Sequence, residues 1–525
     1  MNLPRKVTLN KPILGSHLKI FEFLLRVNEE RNINATLRVA GGWVRDSLLG
    51  LHSQDIDIAI ESPTHMPVSG EAFAREVASY QESLGLKART VSVIRVNPEL
   101  SKHIETATVC VYDTPVEFCA LRHDEYTNPD SRIPAVRPAT AMEDAMRRDY
   151  TINALFYNLH TKEVEDYVTG LEDLAHRVLR CPLDPRETFS DDPLRLLRGI
   201  RFVGQLGELG FVLDEVTLSC VDDDLLQKVA VKVSRERIGK EVAKMLSGPF
   251  PERCVEIMYK LSILQEILLV EIYFKSGKKG QSTAEVERME YLARGGEAAG
   301  RGVELVMLLC RTLVPLFSRS GSQIHLAQDS SDRLVSMVFV CCLGFYRGVD
   351  RDQIERRLYA LCVNGLKLPV SLLNAVCRMV MCYNTLKREQ LSLSDITEGT
   401  ISREAKLAIF SGLYELNDKR IMPSAFNVVF AAYFLVECRS DLLSSSNVGE
   451  AAHTIDRLLL ILGREPGLLD AFSRPLPVKG NELAKMFPLE PQQIGPALLE
   501  LRRNFMLYPN STRDDVVQWL QRDAP

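Results

Sequence analysis

The chain has 525 residues, 46% of them hydrophobic and 25% charged, and a formal net charge of −5 at pH 7. This is an ordinary globular composition, long enough for several domains and a sizeable core. It excludes a protein that is basic overall, so a polyanionic partner must meet a local basic patch. Twelve cysteines without regular spacing or a CxxC pair argue against a disulfide framework or a zinc site, and for a reducing compartment. No apolar run approaches the roughly 18 to 20 residues needed to span a membrane, and no secretory apolar region is expected at the N-terminus.

In chain order, residues 16–32 place apolar side chains at helical spacing. "TLRVAGGWV" reads as a strand, a glycine turn and the start of a helix. "DIDIAI", Asp55 to Ile60, alternates acid and apolar residues as a half-buried strand does. Ile104–Tyr112 and Val116–Leu121 read as strands of a hairpin with Pro115 in the connection. Residues 126–143 hold three prolines and no periodicity, which predicts a long, functional or disordered loop. Residues 154–168 predict a last hairpin of the sheet. From about residue 144 the chain becomes mainly helical, and after Asp191 helix follows helix. Residues 274–302, rich in glycine and charge, and the polar 318–333 read as surface loops or mobile insertions, and 441–450 as a linker. The fold class is α+β: a small N-terminal mixed β-sheet with helices, then a long helical remainder.

On a strand, residues i and i+2 share a face, so Asp55 and Asp57 present two carboxylates side by side. Like charges this close repel unless a divalent cation lies between them, and magnesium favours one or two carboxylates plus substrate phosphates. The pair reads as a magnesium (Mg2+) site for phosphoryl or nucleotidyl transfer with two metals; the alternative for the two acids alone is a solvated strand face. Upstream, Gly41 and Gly42 let the backbone approach a ligand, Trp43 opens a helix whose free amides suit a triphosphate, and Arg45 and Asp46 lie in its first turn. A strand, a GG turn, a short helix and a DxD strand resemble the polymerase-β-like nucleotidyltransferase superfamily. That resemblance implies two magnesium ions around an incoming NTP and a third carboxylate from a neighbouring strand, for which Glu117 in "VEF" is the candidate. The alternative for Glu117 is a strand-face acid at a sheet edge.

"RRDYTIN", Arg147 to Asn153, offers Arg147 and Arg148 to phosphates, and Asp149 and Asn153, four residues apart, to a ribose. "DDPLRLLRGIRF", Asp191 to Phe202, starts a helix at Pro193 and sets Asp192, Arg195 and Arg198 three apart on one face. The bland reading is a capped amphipathic helix with an Asp–Arg pair. The sharper reading is base recognition. Aspartate only accepts hydrogen bonds and arginine only donates them. Cytosine and adenine pair an exocyclic amino donor with a ring-nitrogen acceptor, whereas guanine and uracil reverse that order. A rigid Asp192–Arg195 pair would take C and A and reject G and U, each failed pairing costing about 1–3 kcal/mol in a dry site. Arg198 would stack on the base or hold it.

These motifs in this order resemble the class II CCA-adding enzymes, tRNA nucleotidyltransferases, and most closely their eukaryotic branch. The family's motif A matches "LRVAGGWVRD" and "DIDIAI", its motif B "RRDYTIN", its motif C "DYVTGLEDL", and its motif E "SRERIGKE", which in the family supports the pocket. Its motif D, written EDxxR, reads here "DDPLR", with Asp191 in place of glutamate. The resemblance is strong over 35–250, with a weaker match at "PVKGNEL" and 494–520. It implies a catalytic head over 1–160, a base-recognising neck over 161–250, a tRNA-binding helical body over 251–440 with insertions at 274–333, and a tRNA-binding tail over 441–525. It implies CTP and ATP as substrates and the acceptor stem and 3′ end of tRNA as partner, with no membrane, in a monomer or weak dimer. Lys228, Lys232, Arg235, Arg237, Lys240 and Lys244, with Arg502 and Arg503, either meet RNA phosphates or form a solvated face with internal salt links. A poly(A) polymerase, or a relative adding only A or only CC, shares these motifs. A reading of another class is an inactive tRNA-binding protein. The compartment expected is cytosol or nucleus; Arg5, Lys6, Lys11 and Lys19 precede the first acid, Glu22, without the Arg and Ser richness of a mitochondrial address.

Overall fold

The computed structural model describes residues 3–9, 11–53, 55–62, 68–86, 90–94, 106–125, 135–263, 304–314, 330–346, 354–355, 358–391, 396–397, 400–416, 424–438, 440, 448–465, 467–469, 475–487 and 489–523. The chain divides into two units, Met1–Glu241 and Val242–Pro525.

Strand periodicity builds the first unit. β1 (Arg5–Val7), β2 (Thr36–Ala40), β3 (Ile56–Glu61), β4 (Ser92–Ile94), β5 (Thr106–Val111) and β6 (Thr114–Ala120) join β9 (Phe156–Asn158) and β10 (Glu163–Asp166) in one sheet. Its order is β1-β10-β9-β2-β3-β6-β5-β4. Every pairing is antiparallel except β3 with β6, so the sheet is mixed, as expected. One face carries Leu37, Val39, Ile58 and Phe118, all fully buried with Leu24 and Val27 of α1 (Gly15–Glu30) and Phe73 and Val77 of α3 (Gly70–Ser83). The other face carries small residues, Ala40 and Ala59, packed with Ala141 and Ala145 of α4 (Ala141–Met146). That face also takes Asp57 and Glu117, because they alternate with the buried Ile56, Ile58, Val116 and Phe118.

Three local expectations change. The β5–β6 turn is made by Tyr112 and Asp113, both at positive φ, and Pro115 lies inside β6 opposite Cys110, near the strand start where its missing N–H is tolerated. The long loop read over 126–143 ends earlier: β8 (Ala135–Pro138) pairs with β7 (Arg122–Glu125), and α4 follows behind a Thr140–Glu143 capping box. The prolines hid these short elements; residues 126–134 lie outside the described residues. The helix α3, capped by the Ser69 hydroxyl accepting from the Ala72 N–H, has no counterpart in the sequence reading. The hairpin over 154–168 is present as β9 and β10, with Asn158 opposite Glu163, so the sheet continues past residue 160.

Beyond the sheet come α5 (Gly170–His176), α6 (Pro185–Asp191), α7 (Leu194–Gln205), α8 (Glu215–Ser219), α9 (Asp223–Lys232) and α10 (Arg235–Leu246). The described part of the second unit is helical, including Ser330–Tyr346, Val370–Arg388, Arg403–Glu415, Ser424–Tyr433 and Val448–Arg464, apart from a two-stranded pair at Ile396–Thr397 and Thr400–Ile401. Val478, Leu483, Leu501 and Val516 form a separate small core near its C-terminal end. The predicted insertion at 274–302 lies outside the described residues, whereas the end of the polar 318–333 stretch opens the helix at Ser330. All twelve cysteines are free thiols. No helix among the described residues is long and apolar enough to cross a membrane.

One packing contact fixes α7 against the sheet-side loop. The buried Tyr150 donates its hydroxyl to the Arg195 carbonyl at 3.0 Å, and a Cβ added at Gly199 would meet that hydroxyl at 1.9 Å. Gly199→Ala is therefore expected to destabilise the protein by about 1–3 kcal/mol through overpacking. A lower urea midpoint checks this.

Candidate active site

The site begins at the turn between β2 and α2 (Gly42–Leu49). Gly41 sits at φ 70°, a left-handed conformation that favours glycine. A Cβ there would also press on Arg148 Nη1 at 3.3 Å. Gly42 has no such strain; an added Cβ would meet only Arg45 Nη2 at 3.6 Å. Gly41→Ala should thus lower stability by about 1–2 kcal/mol, whereas Gly42→Ala should leave it within about 0.5 kcal/mol. Parallel denaturant curves distinguish the two.

Across the sheet, Asp57 of β3 lies in register with Glu117 of the parallel β6. Asp55 lies just ahead of β3 and is exposed, as is Glu117. Burial, then the charges of Glu117 and Asp55, push Asp57 up to about 6, against the opposing pull of Arg148. Uncompensated carboxylates of this kind suit a hard divalent cation that takes its remaining ligands from phosphates and water. No three His, Cys, Asp or Glu side chains form a ready-made metal cage among the described residues.

Motif B supplies the cationic side. Arg148 donates Nε to Asp144 Oδ2 at 3.0 Å and Nη1 to the Asn153 carbonyl at 3.1 Å, and lies over the Phe156 ring. Arg147 is bound to the other oxygen of Asp144 and to the Arg122 carbonyl. Asp144, almost fully buried, was not singled out from the sequence. Its signal was its spacing of three and four residues before the two arginines. The expected phosphate clamp therefore starts from two arginines already oriented by one carboxylate.

Asp149 and Asn153 meet as their spacing predicts, Asn153 Nδ2 donating to Asp149 Oδ1 at 3.2 Å. Asn153 Oδ1 accepts from Arg45 Nη1 at 2.7 Å, and Arg45 Nε donates to Asp46 at 2.8 Å. Asp149 Oδ2 accepts from Arg198 Nε at 2.7 Å. Burial pushes Asp149 up, but Arg198 and the Asn153 amide outweigh it and hold it near 2. A carboxylate with a lowered native pKa adds stability above its unfolded value and loses it on acidification. Urea midpoints should fall as pH drops from about 4 to about 2, and Arg198→Met should flatten that part of the profile.

The Asp192–Arg195 pair is arranged differently from the sequence reading. Asp192 is the C-cap just past α6, and its carboxylate is held by Arg237 of α10, Nη1 to Oδ1 at 3.2 Å and Nη2 to Oδ2 at 2.6 Å. Arg195 instead donates to the backbone carbonyls of Arg147 at 2.7 Å and Thr188 at 3.4 Å, and acts on Asp192 through its charge. Asp192 precedes the helix proper, so the spacing of three does not make the two side chains a hydrogen-bonded pair. Arg195 also lines a cavity of about 600 Å3 with Arg147, Asp191, Glu187, Met142 and Met146, within the size range of small-molecule sites. Phe202 carries Arg45, Arg198 and Arg201 over its ring at 5.3, 5.7 and 4.2 Å. In motif E, Glu241 binds Arg201 at 2.6 Å. The basic stretch around it is largely tied internally: Lys228 to Asp224, Lys240 to Glu236, and Lys232 to the Ser190 carbonyl.

Residues 37–180 match the family described as Poly A polymerase head domain, and 229–270 match one described as a probable RNA and SrmB-binding site of polymerase A. A tRNA nucleotidyltransferase of Schizosaccharomyces pombe is 39% identical over 236 residues, 44% of this chain and 47% of that protein. The mitochondrial CCA tRNA nucleotidyltransferase of Saccharomyces cerevisiae is 46% identical over 231 residues, 43% of this chain and 41% of that protein. The matches thus span less than half the length of these relatives. A Thermotoga maritima CCA-adding enzyme, solved with a tRNA, shares the fold over 100% of both chains, with a TM-score of 0.56 at 18% identity. Residues 37–180 are thus similar to the Poly A polymerase head domain and to the matching part of eukaryotic CCA tRNA nucleotidyltransferases, in a chain that shares the fold of the CCA-adding enzymes.

Proposed function

We propose that this chain adds C, C and A in turn to the 3′ end of tRNA from CTP and ATP, without a template, releasing pyrophosphate. The observation that carries the proposal is the in-register Asp57–Glu117 pair next to Arg148, itself packed against the Gly41 turn. Acids able to take metal, an oriented cation and a helix N-terminus thus lie together, as transfer of a nucleotidyl group requires. The likeness to CCA tRNA nucleotidyltransferases over the head supports the same reading.

Asp55 and Asp57, with Glu117 beside them, would hold magnesium, which when bound favours the ionised primer 3′-hydroxyl and neutralises charge on the departing pyrophosphate. The free amides at the start of α2, with Arg148, bind and orient the triphosphate. The α2 side chains Arg45 and Asp46 hold each other and Asn153, so they shape this wall of the site. Asp149 and Asn153 form the ribose side. Asp192 accepts from the exocyclic amino group of C or A, Arg195 donates to the neighbouring ring nitrogen, and Arg198 holds the base from Asp149. We take the tRNA to be bound through its acceptor stem by shape and backbone. The protein works as a monomer or weak dimer in cytosol or nucleus; imaging of the tagged full-length protein tests the compartment against the mitochondrial naming of relatives.

The test uses purified protein, magnesium and a tRNA transcript lacking its last three nucleotides. Two additions with CTP and a third only when ATP is present are expected. An open-ended ladder of A makes the protein a poly(A) polymerase, and binding without extension makes it an inactive tRNA-binding protein. Asp57→Asn should reduce transfer by at least about a thousandfold, roughly 4 kcal/mol of lost transition-state stabilisation, while tRNA affinity stays within about threefold. Gel-shift titration and single-turnover kinetics check both.

A further inference from the structure

We infer that His17 of α1 is a positioning residue for the incoming nucleotide: it accepts the indole N–H of Trp43 and so fixes the first turn of α2, whose free amides are offered to the triphosphate. The inference rests on the role proposed above for the start of α2 and goes beyond it.

The amides at this turn are unequally engaged. The Gly41 N–H donates to the Leu155 carbonyl at 3.2 Å, and the Val44 and Arg45 N–H groups donate to the Gly41 carbonyl at 3.1 and 3.3 Å. Among the described residues this leaves the N–H groups of Gly42 and Trp43 for a ligand. Trp43 thus offers its backbone to the nucleotide while its side chain is anchored elsewhere. Its ring is buried against Phe21 of α1 and Tyr157 of β9, with centroids 5.4 and 5.7 Å away. Those contacts hold the ring in place but leave its N–H in need of an acceptor. Nδ1 of the buried His17 is that acceptor, at 3.1 Å. Because α1 packs on the sheet face opposite Asp57 and Glu117, the bond ties the glycine turn to the main core.

Only the neutral imidazole can hold the indole in this way. With Nδ1 accepting, its single proton lies on Nε2. A second proton would put N–H groups on both nitrogens and set donor against donor. The surroundings favour the neutral ring. His17 and Trp43 border a small cavity of about 60 Å3, whose other titratable groups among the described residues are Lys11 and His52, with no acid. The Lys11 ammonium lies over Gly50, at the far end of α2. Tyr157, against the indole, is pushed up by burial and stays uncharged. Burial first, and then the charge of His52, hold His17 below its ordinary value.

The experiment measures dissociation constants of CTP and ATP with magnesium, and kcat and KM on the truncated tRNA. It uses the full-length wild type, His17→Gln, His17→Leu, Trp43→Phe and the His17→Leu/Trp43→Phe double variant. Lys19→Ala, on the exposed side of α1, is the control and should match wild type. His17→Leu leaves a buried indole N–H unpaired and is expected to weaken CTP and ATP binding roughly 5- to 50-fold. KM should rise in step while kcat changes by less than about threefold. His17→Gln keeps an acceptor and should stay within about twofold of wild type. In the Trp43→Phe background His17→Leu should add no further loss, because His17 acts through the indole. From about pH 7.5 to about pH 5.5 nucleotide affinity should fall more steeply in wild type than in His17→Gln. Titration of Asp57 and of the nucleotide phosphates is common to both and cancels in the ratio. Unchanged affinity in His17→Leu, an equal loss in His17→Gln, or additive losses in the double variant overturns the inference while nucleotide transfer stands. A wild type that binds CTP but extends no tRNA overturns the reading of transfer, and the affinity ratios still decide this one. A wild type that binds neither nucleotide overturns both. If His17→Leu fails to fold, as a collapsed urea midpoint would report, the decision passes to the two pH profiles: parallel curves overturn the inference and a steeper fall in wild type supports it.

Discussion

A line of hydrogen bonds, buried except at its half-exposed Arg198 end, runs from α2 to α7: Arg45 to Asn153 at 2.7 Å, Asn153 to Asp149 at 3.2 Å, and Arg198 to Asp149 at 2.7 Å. The rest of the first unit depends on it. It joins the glycine turn at the start of α2 to α7, through four side chains from three separate elements. Such a network is stable only when every member is satisfied, because an unpaired charge in this setting costs several kcal/mol. Asp149 meets that condition with a third donor, the N–H of Tyr150 at 2.8 Å. Tyr150 in turn reaches the Arg195 carbonyl, so the same short segment positions both ends of the site.

The charges divide into two classes. Arg147, Arg148, Arg198 and Arg237 each have a carboxylate partner in the protein, which fixes their direction before any ligand arrives. Asp57, Glu117 and Asp55 instead lie together, and burial of Asp57, then the charges of Glu117 and Asp55, raise the Asp57 pKa. Oriented cations around repelling acids leave a charge pattern that the proposed cation and polyphosphate would complete together, each relieving what the other leaves unbalanced. The small residues on this face of the sheet, Ala40 and Ala59, facing Ala145 of α4, let α4 and motif B approach closely enough for that arrangement.

Much of this was legible locally. The DxD strand, the glycine turn, the Asp149–Asn153 contact and the β9–β10 hairpin all follow from periodicity or spacing, since their partners are close in sequence or repeat at a fixed interval. Motif order legibly identified the head, and the helical remainder was clear in outline. Asp192 and Arg195 do not hydrogen-bond each other, because spacing of three implies contact only inside a helix and Asp192 lies just outside α7. Pro115 and the 126–143 stretch were misread because proline signals a turn locally but is tolerated near strand starts and beside short strands.

The sequence by itself determined which residues alternate between core and site, where the backbone needs glycine, and which acids and arginines are available for chemistry. Those are properties of a few adjacent residues, set by side-chain geometry and backbone sterics. Only the tertiary structure decided the partners: Glu117 beside Asp57 across parallel strands, Asp144 beneath two arginines, Arg198 on Asp149, and Arg237 on Asp192 from 45 positions away. Charge attraction is not directional enough to choose among 64 basic and 69 acidic residues. The packing of the helices on the sheet makes that choice, by bringing a particular guanidinium to a particular carboxylate.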